Sequence, residues 1–493
     1  MSAATGERRR RAPVVGLLLG PAVLALVLLL SPPAGLAPAA WRVAGVGLLM
    51  AIWWITEAIP IPATALLPLV LFPLLGISPI TAAAAPFANP VIFLFMGGFI
   101  IAAALERCGL HRRLALAVIR VFGVRPVNLV AGFMLATALI SMWVSNTATV
   151  IMMLPMATSV IALAEPAMSD RSGAGSPGRV ELNFSVCLLL GVAYAASIGG
   201  LGTLIGTPPN ALLAGFMTET YGVQIGFFRW MLLGVPLIAV SLPLCWLLLT
   251  RVLYPIRLRE IPGGAAVFAR EAAALGPLSR AEIQVATITA MVALAWVFQA
   301  LIERIVPGIS DAGIAMTGAL LLFVLPVDWK RMQFALSWDD AERLPWGVLV
   351  LFGGGLSLAG AIQSSGLAPW IGEALDAIGT WPVLLITLTV TTIIVFLTEL
   401  TSNTATAAAF LPVVGALAVG IGRDPLLLAI PAAIAASCAF MLPVATPPNA
   451  IVFATGHLTI PQMARAGLWL NFLFIVLINA ALFALAIPLF GIR

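Results

Sequence analysis

The chain has 493 residues, of which 61% are apolar and only 9% charged, whereas a globular surface needs about a quarter of its residues charged. That balance excludes a soluble protein: most of the outer surface faces lipid, and a mean hydropathy of +1.10 leaves room for about ten spans of roughly 20 residues each. The 25 Lys and Arg exceed the 20 Asp and Glu by five, but they sit beside hydrophobic segments, so they read as topology signals and no nucleic-acid partner is expected.

In chain order, Arg8 to Arg11 precede an apolar run over 13–31, longer than the core of a cleaved signal peptide, so it reads as an uncleaved first helix with a cytoplasmic N-terminus. Further runs lie at 42–58, 62–76, 90–106, 182–206, 229–250, 282–302, 311–326, 346–363, 426–445 and 467–490. Together they make eleven crossings. Two more apolar stretches, 127–163 and 382–420, are each interrupted by a polar cluster and read as re-entrant helical hairpins. With both re-entrant, the basic loops 107–126 (Arg107, Arg112, Arg113), 165–181 (Arg171, Arg179) and 251–280 (Arg251, Arg257, Arg259, Arg270) fall in the cytoplasm together with Lys330 and Arg331, and the sparsely basic loops 303–311 and 364–381 fall outside. Segments 165–181 and 255–280 are too short for soluble domains and read as cytoplasmic connectors. The four cysteines and two histidines show no disulfide or zinc spacing.

The chain also repeats itself. Phe93-Leu94-Phe95-Met96-Gly97-Gly98-Phe99 is echoed by Leu349-Val350-Leu351-Phe352-Gly353-Gly354-Gly355, and Gly109-Leu110 by Gly366-Leu367. Ser145-Asn146-Thr147 recurs 257 residues on as Ser402-Asn403-Thr404, and Thr207-Pro208-Pro209-Asn210 recurs 239 residues on as Thr446-Pro447-Pro448-Asn449. The domain reading is a first helix within 1–41, a first repeat over 42–254, a linker over 255–280 and a second repeat over 281–493. An odd number of crossings separates equivalent points, so the second copy is inverted in the bilayer. Inverted repeats with broken helices at matching positions are the signature of a secondary transporter whose site lies near the midplane.

Two prolines within an apolar run remove backbone donors and unwind the helix, and freed carbonyls at bilayer depth need protein, water or an ion. With Ser, Thr and Asn oxygens they form hard neutral ligands suited to sodium. The two SNT clusters stand where the second arm of each hairpin begins, and a helix N-terminus presents amide donors and partial positive charge to an anion. Ser141 and Thr398 each lie five residues before the SNT asparagine, as paired cation ligands do. Neither cluster contains Arg or Lys, so a bound dianion requires bound cations, and this couples the two. Two half-sites, each holding one carboxylate, suit a four-carbon dicarboxylate such as succinate, fumarate or malate. Glu57 and Glu399 are intramembrane acids; Glu399 reads either as a proton carrier or as a brace for the hairpin tip, and Glu57 as structural. A hydrolase using Ser145 or Ser402 has no histidine spaced to serve as its base, so an enzyme is not expected, and a channel is distinguished by its lack of saturable, coupled flux.

These residues resemble the divalent anion/sodium symporter family, also called solute carrier family 13, over nearly the whole chain after the first helix. The resemblance implies an all-α, polytopic protein of the cell membrane, the bacterial inner membrane. It also implies a homodimer surrounded by lipid and an elevator motion of hairpins and broken helices against a scaffold. It implies one sodium site of Ser141, Ser145, Asn146 and the carbonyl of Gly206, and another of Thr398, Thr401, Asn403 and the carbonyl of Ala445. Substrate carboxylates meet Asn146 with Thr147 and Asn403 with Thr404, aided by Thr207, Pro208, Thr446 and Pro447. At least two sodium ions and no organic cofactor are expected, with sodium-independent exchange or sodium-coupled citrate or sulfate transport as alternatives.

Overall fold

The computed structural model describes residues 2–169, 182–258, 260–261, 264–374 and 379–492; Arg171, Arg179 and Arg259, and part of the expected outer loop 364–381, lie outside them. Each of the eleven expected runs is helical, with one two-stranded ribbon (Pro326–Asp328 and Gln333–Phe334) added. Among the described residues nine helices are long and apolar enough to cross a membrane, two of which, Asn146–Ala164 and Asn403–Gly420, are second arms of the hairpins.

The hairpins are matched element by element. Arms Pro126–Ser141 and Asn146–Ser169 enclose a tip at 142–145, and arms Val383–Thr398 and Asn403–Gly420 enclose a tip at 399–402. The second arm of the first hairpin therefore runs to Ser169, into the stretch expected to be a connector. The broken helices also match in kind. Leu182–Gly200 gives way at 201–207 to Pro208–Tyr221, and Leu426–Ala436 gives way at 437–446 to Pro447–Phe453. The prolines act differently from expectation: the break precedes them, and Pro208 and Pro447 open the following helices, where a missing N–H costs nothing. The residue before each proline is held out of the helical region, and Thr207 and Thr446 are accordingly extended (φ −145° and −140°). The runs expected at 182–206 and 426–445 are thus helical only to Gly200 and Ala436.

The first broken helix is the axis of the fold: 94% of Asn183–Gly200 is buried, against 28% of the peripheral Arg280–Val297. It packs on both arms of the first hairpin and on Pro447–Phe453 of the other repeat. Small residues set these approaches, as is usual between membrane helices; a Cβ on Gly199 would stand 2.3 Å from the Ala138 carbonyl, and elsewhere one on Gly97 would stand 2.7 Å from the Ala315 backbone.

The repeated Gly-Leu pair marks a sharp turn. Gly109 (φ 77°) and Gly366 (φ 84°) adopt the left-handed conformation open to glycine, ending Pro90–Cys108 and Trp346–Ser364 and starting the short helices Leu110–Phe122 and Leu367–Ala374. Neither short helix was expected. Eleven residues of the presumed connector 255–280 are likewise helical (Gly264–Ala274). It is fixed to Leu110–Phe122 by the Arg112–Glu271 ion pair (2.5 Å) and by Arg113, which donates to Glu282 (2.8 Å) and to the carbonyls of Leu275 (3.1 Å) and Gly276 (3.0 Å).

Candidate functional site

Each hairpin tip meets the break of its own repeat through one hydroxyl. Ser141 Oγ lies 2.6 Å from Asn146 Oδ1 and 2.8 Å from the Ala196 carbonyl; Thr398 Oγ1 lies 2.9 Å from Asn403 Oδ1 and 2.8 Å from the Ala436 carbonyl. Both hydroxyls are fully buried. A hydroxyl has one proton to donate, so each Oγ can donate to only one of the two oxygens it faces.

A fourth oxygen joins the first trio. A Cβ on Gly200 would stand 2.8 Å from Asn146 Oδ1 and 3.1 Å from the Gly206 carbonyl, so both oxygens border the space that glycine leaves open. Pro208 and Pro209 have no N–H to offer the Gly206 carbonyl, and among the described residues no donor reaches it; the Ala445 carbonyl, before Pro447 and Pro448, is in the same position. Neutral hydroxyl, amide and carbonyl oxygens converging with too few protons fit a hard monovalent cation better than a proton-rich network. Ser145 and Thr401 have partners elsewhere: Ser145 Oγ accepts from Ala148 N (3.3 Å), and Thr401 Oγ1 bonds the Leu397 carbonyl (3.1 Å) and Thr406 Oγ1 (2.6 Å).

The asparagines of the TPPN segments hold the breaks open. Asn210 Nδ2 donates to the carbonyls of Gly200 (3.1 Å) and Thr203 (2.8 Å), and Asn449 Nδ2 to those of Ala439 (3.2 Å) and Leu442 (3.1 Å). Thr203 Oγ1 ties the first break to its tip through the Met142 carbonyl (2.5 Å) and accepts from Gly206 N (3.0 Å).

On the anion side, the second arms begin at Asn146 and Asn403, which places free helix amides beside the side chains chosen for carboxylate binding. With each Oδ1 turned to its hydroxyl, the Nδ2 groups of Asn146 and Asn403 and the hydroxyls of the half-buried Thr147 and Thr404 have no acceptor among the described residues. The two repeats meet where Thr207 Oγ1 lies 3.4 Å from Ser437 Oγ. Thr446 caps its helix, accepting from Asn449 N (3.3 Å). Pro208 and Pro447 keep partly open faces.

Of the readings for Glu399, the geometry supports the brace. Its buried carboxylate accepts from Phe440 N (2.7 Å), Met441 N (2.9 Å) and Asn471 Nδ2 (2.8 Å) on Oε1, and from Met441 N (3.0 Å) and Leu442 N (3.3 Å) on Oε2. Glu57 is exposed and caps the end of Pro38–Thr56 in the left-handed conformation (φ 49°).

A cavity of about 420 Å³ reaches from Ser145 and Ala148 at the first tip to Glu106, Arg107, Asp340 and Arg343. Asn89 donates to Glu219 (2.8 Å), Asp311 accepts from Phe227 N (2.8 Å), and Trp143 of the tip stacks with Phe227 and Trp296, the last two 3.9 Å apart.

Sequence reasoning missed Ala196 and Ala436, whose carbonyls complete the trios, and Ser437. The signal was present: Ala195-Ala196-Ser197 recurs as Ala435-Ala436-Ser437, one helix end before the TPPN pair.

Fold and site together define a polytopic membrane transporter built on paired hairpins and broken helices. Its fold is shared with the Alcanivorax borkumensis YdaH transporter (TM-score 0.59, 16% identity, 90% of this chain and 99% of that one) and with Neisseria gonorrhoeae MtrF, of a class of antimetabolite efflux pumps (TM-score 0.56, 14% identity, 93% and 96%). Residues 11–492 match the family described as the sodium:sulfate symporter transmembrane region, and the chain belongs to that family. Among its relatives are proteins named sodium-dependent dicarboxylate transporter SdcS. That of Staphylococcus saprophyticus is 42% identical over 483 residues (97% of this chain, 92% of the relative), and that of Staphylococcus aureus strain USA300 is 41% identical over 469 residues (94% and 89%).

Proposed function

We propose that this protein imports four-carbon dicarboxylates, succinate, fumarate or malate, by symport with sodium across the cell membrane. The observation that carries the reading is the duplicated oxygen cluster: a hydroxyl facing an asparagine oxygen and a helix carbonyl where tip meets broken helix in both repeats, with the unwound Gly206 carbonyl beside the first. The names of the SdcS relatives support the same pairing of ion and substrate.

In this reading one sodium ion takes Ser141, Asn146 and the Gly206 carbonyl, and another takes Thr398, Asn403 and the Ala445 carbonyl, with backbone or hydroxyl oxygens of Ser145 and Thr401 completing the shells. The free Nδ2 and hydroxyl groups of Asn146, Thr147, Asn403 and Thr404 hold one carboxylate at each tip, beside Thr207, Pro208, Thr446 and Pro447. No side-chain cation enters the clusters, so a dianion without sodium would lie uncompensated at low dielectric. Sulfate, more compact, bridges two tips less readily. Sodium-independent exchange is disfavoured because both clusters retain all their oxygens.

A first crossing from a cytoplasmic N-terminus, then ten in two inverted repeats, 42–254 and 281–493 around the linker 255–280, would set both breaks near mid-bilayer. The hairpins and broken helices move as a unit, an elevator, within a homodimer. Purified protein in liposomes should take up succinate when sodium is supplied outside, faster with an inside-negative potential and competitively inhibited by fumarate. Equal uptake with choline replacing sodium would refute the assignment.

A further inference from the structure

We propose that the 420 Å³ cavity beside the first tip is a transit vestibule with two separate charge guides, Arg343 receiving the dicarboxylate and Glu106 receiving sodium; the proposal rests on the sodium-coupled reading above. The cavity falls within the range of small-molecule sites, roughly 300–1,000 Å³, and Ser145, the first residue of the SNT cluster, forms part of its wall. A solute in it is therefore one step from the hairpin tip.

Four charged residues line it, and two are already spent. Arg107 is paired with Asp340, which also accepts from Ser337 N (2.8 Å) and Ser337 Oγ (2.6 Å). This pair has little net field to offer a passing ion. Glu106 and Arg343 have no ion pair or side-chain hydrogen bond among the described residues, although they share one small cavity. Both are exposed, so each charge is open to a passing ion.

The rest of the wall includes Phe99, Leu344 and Pro345. Apolar walls of low polarisability focus the field of the few charges they surround and raise the local concentration of opposite charge. The transport clusters themselves contain no Arg or Lys, so Arg343 is the fixed positive charge a dianion meets next to its site. It draws the substrate in without holding it there. Glu106 does the same for sodium, and their separate positions let the two species enter without displacing one another.

The test is transport in inside-out and right-side-out membrane vesicles, each solute varied at saturating concentration of the other and ionic strength balanced with choline chloride. In inside-out vesicles at about 20 mM ionic strength, where the Debye length is roughly 20 Å, Arg343→Gln should raise the succinate KM about 3- to 10-fold, the low end of steering effects, and leave the sodium half-saturation within twofold. Glu106→Gln should do the reverse. At about 0.3 M salt both differences should shrink below twofold as screening takes over, and Arg343→Lys should retain the parent KM. Arg331→Gln, on the exposed ribbon outside the cavity, controls for general surface charge and should change neither constant. Parent-like constants in both variants, shifts insensitive to salt, or equal shifts from the two faces would overturn the vestibule. Failure of the transport reading is distinguishable, because it would show in the parent protein as absent or sodium-independent succinate uptake.

Discussion

Replacing Gly200 by alanine is the smallest change that reaches one cation cluster and leaves the other untouched. The added Cβ would lie 2.8 Å from Asn146 Oδ1 and 3.1 Å from the Gly206 carbonyl, where an ordinary contact is about 3.5 Å. The oxygens must withdraw by roughly 0.4–0.7 Å to restore that spacing. A side-chain tip would usually swing aside, but Asn146 Oδ1 is held by Ser141 at 2.6 Å, and Gly206 is backbone, fixed through its N–H to Thr203. Hard cations hold oxygen ligands within a few tenths of an ångström, so this displacement removes or loosens at least one ligand. We expect a loss of about 1–2 kcal/mol in sodium binding, a 5- to 30-fold rise in half-saturation. The assay is the sodium dependence of succinate uptake in proteoliposomes, with sodium-dependent thermal stabilisation of the purified protein as a second readout. Ala439 stands at the corresponding place of the second repeat, since Asn449 bonds its carbonyl as Asn210 bonds that of Gly200; Ala439→Gly should change the half-saturation less than twofold. A parent-like sodium curve for Gly200→Ala would refute the idea that these oxygens line a cation site.

Asn146→Asp and Asn403→Asp should each abolish succinate uptake while eluting as folded protein, because a near-isosteric change adds negative charge beside the carboxylates; normal uptake by either would remove that asparagine from the site. Glu399→Gln turns an amide NH₂ towards the N–H groups of Phe440, Met441 and Leu442, and should cost on the order of 2–4 kcal/mol, read as a lowered unfolding midpoint in detergent; a parent-like midpoint would argue against the brace. A single cysteine near Arg257 should react with impermeant reagents only after cells are opened, and labelling from outside intact cells would defeat the inverted topology.

Much of this arrangement was legible because duplication leaves two copies to compare. The hairpin ends Ser141 and Asn146 recur 257 residues later as Thr398 and Asn403, and those four residues form the clusters observed. What escaped was geometry that pattern does not encode. The helix Leu110–Phe122 carries arginines and reads as a basic loop until Arg112 and Arg113 are seen bound to Gly264–Ala274 and Glu282. Pro208 looked like a helix breaker because nothing local announces that the helix has already ended at Gly200, where Asn210 holds the freed carbonyl. Ala196 and Ala436 contribute only backbone oxygen, so no side-chain reading would select them.

The two repeats also differ, and the difference explains Glu399. The hairpins agree in the lengths of their first arms and tips, but the first break spans 201–207 and the second 437–446, three residues more. Unwinding a helix deep in a bilayer strands its amide groups, and each must find an acceptor. In the first repeat Thr203 Oγ1 accepts from Gly206 N and donates to the Met142 carbonyl within a short loop. In the second, the position matching Met142 is Glu399, and its two oxygens collect the N–H groups of Phe440, Met441 and Leu442 that the longer break releases. The carboxylate directly follows Thr398, so the residue that satisfies the wider break is next in sequence to the hydroxyl of the second oxygen cluster.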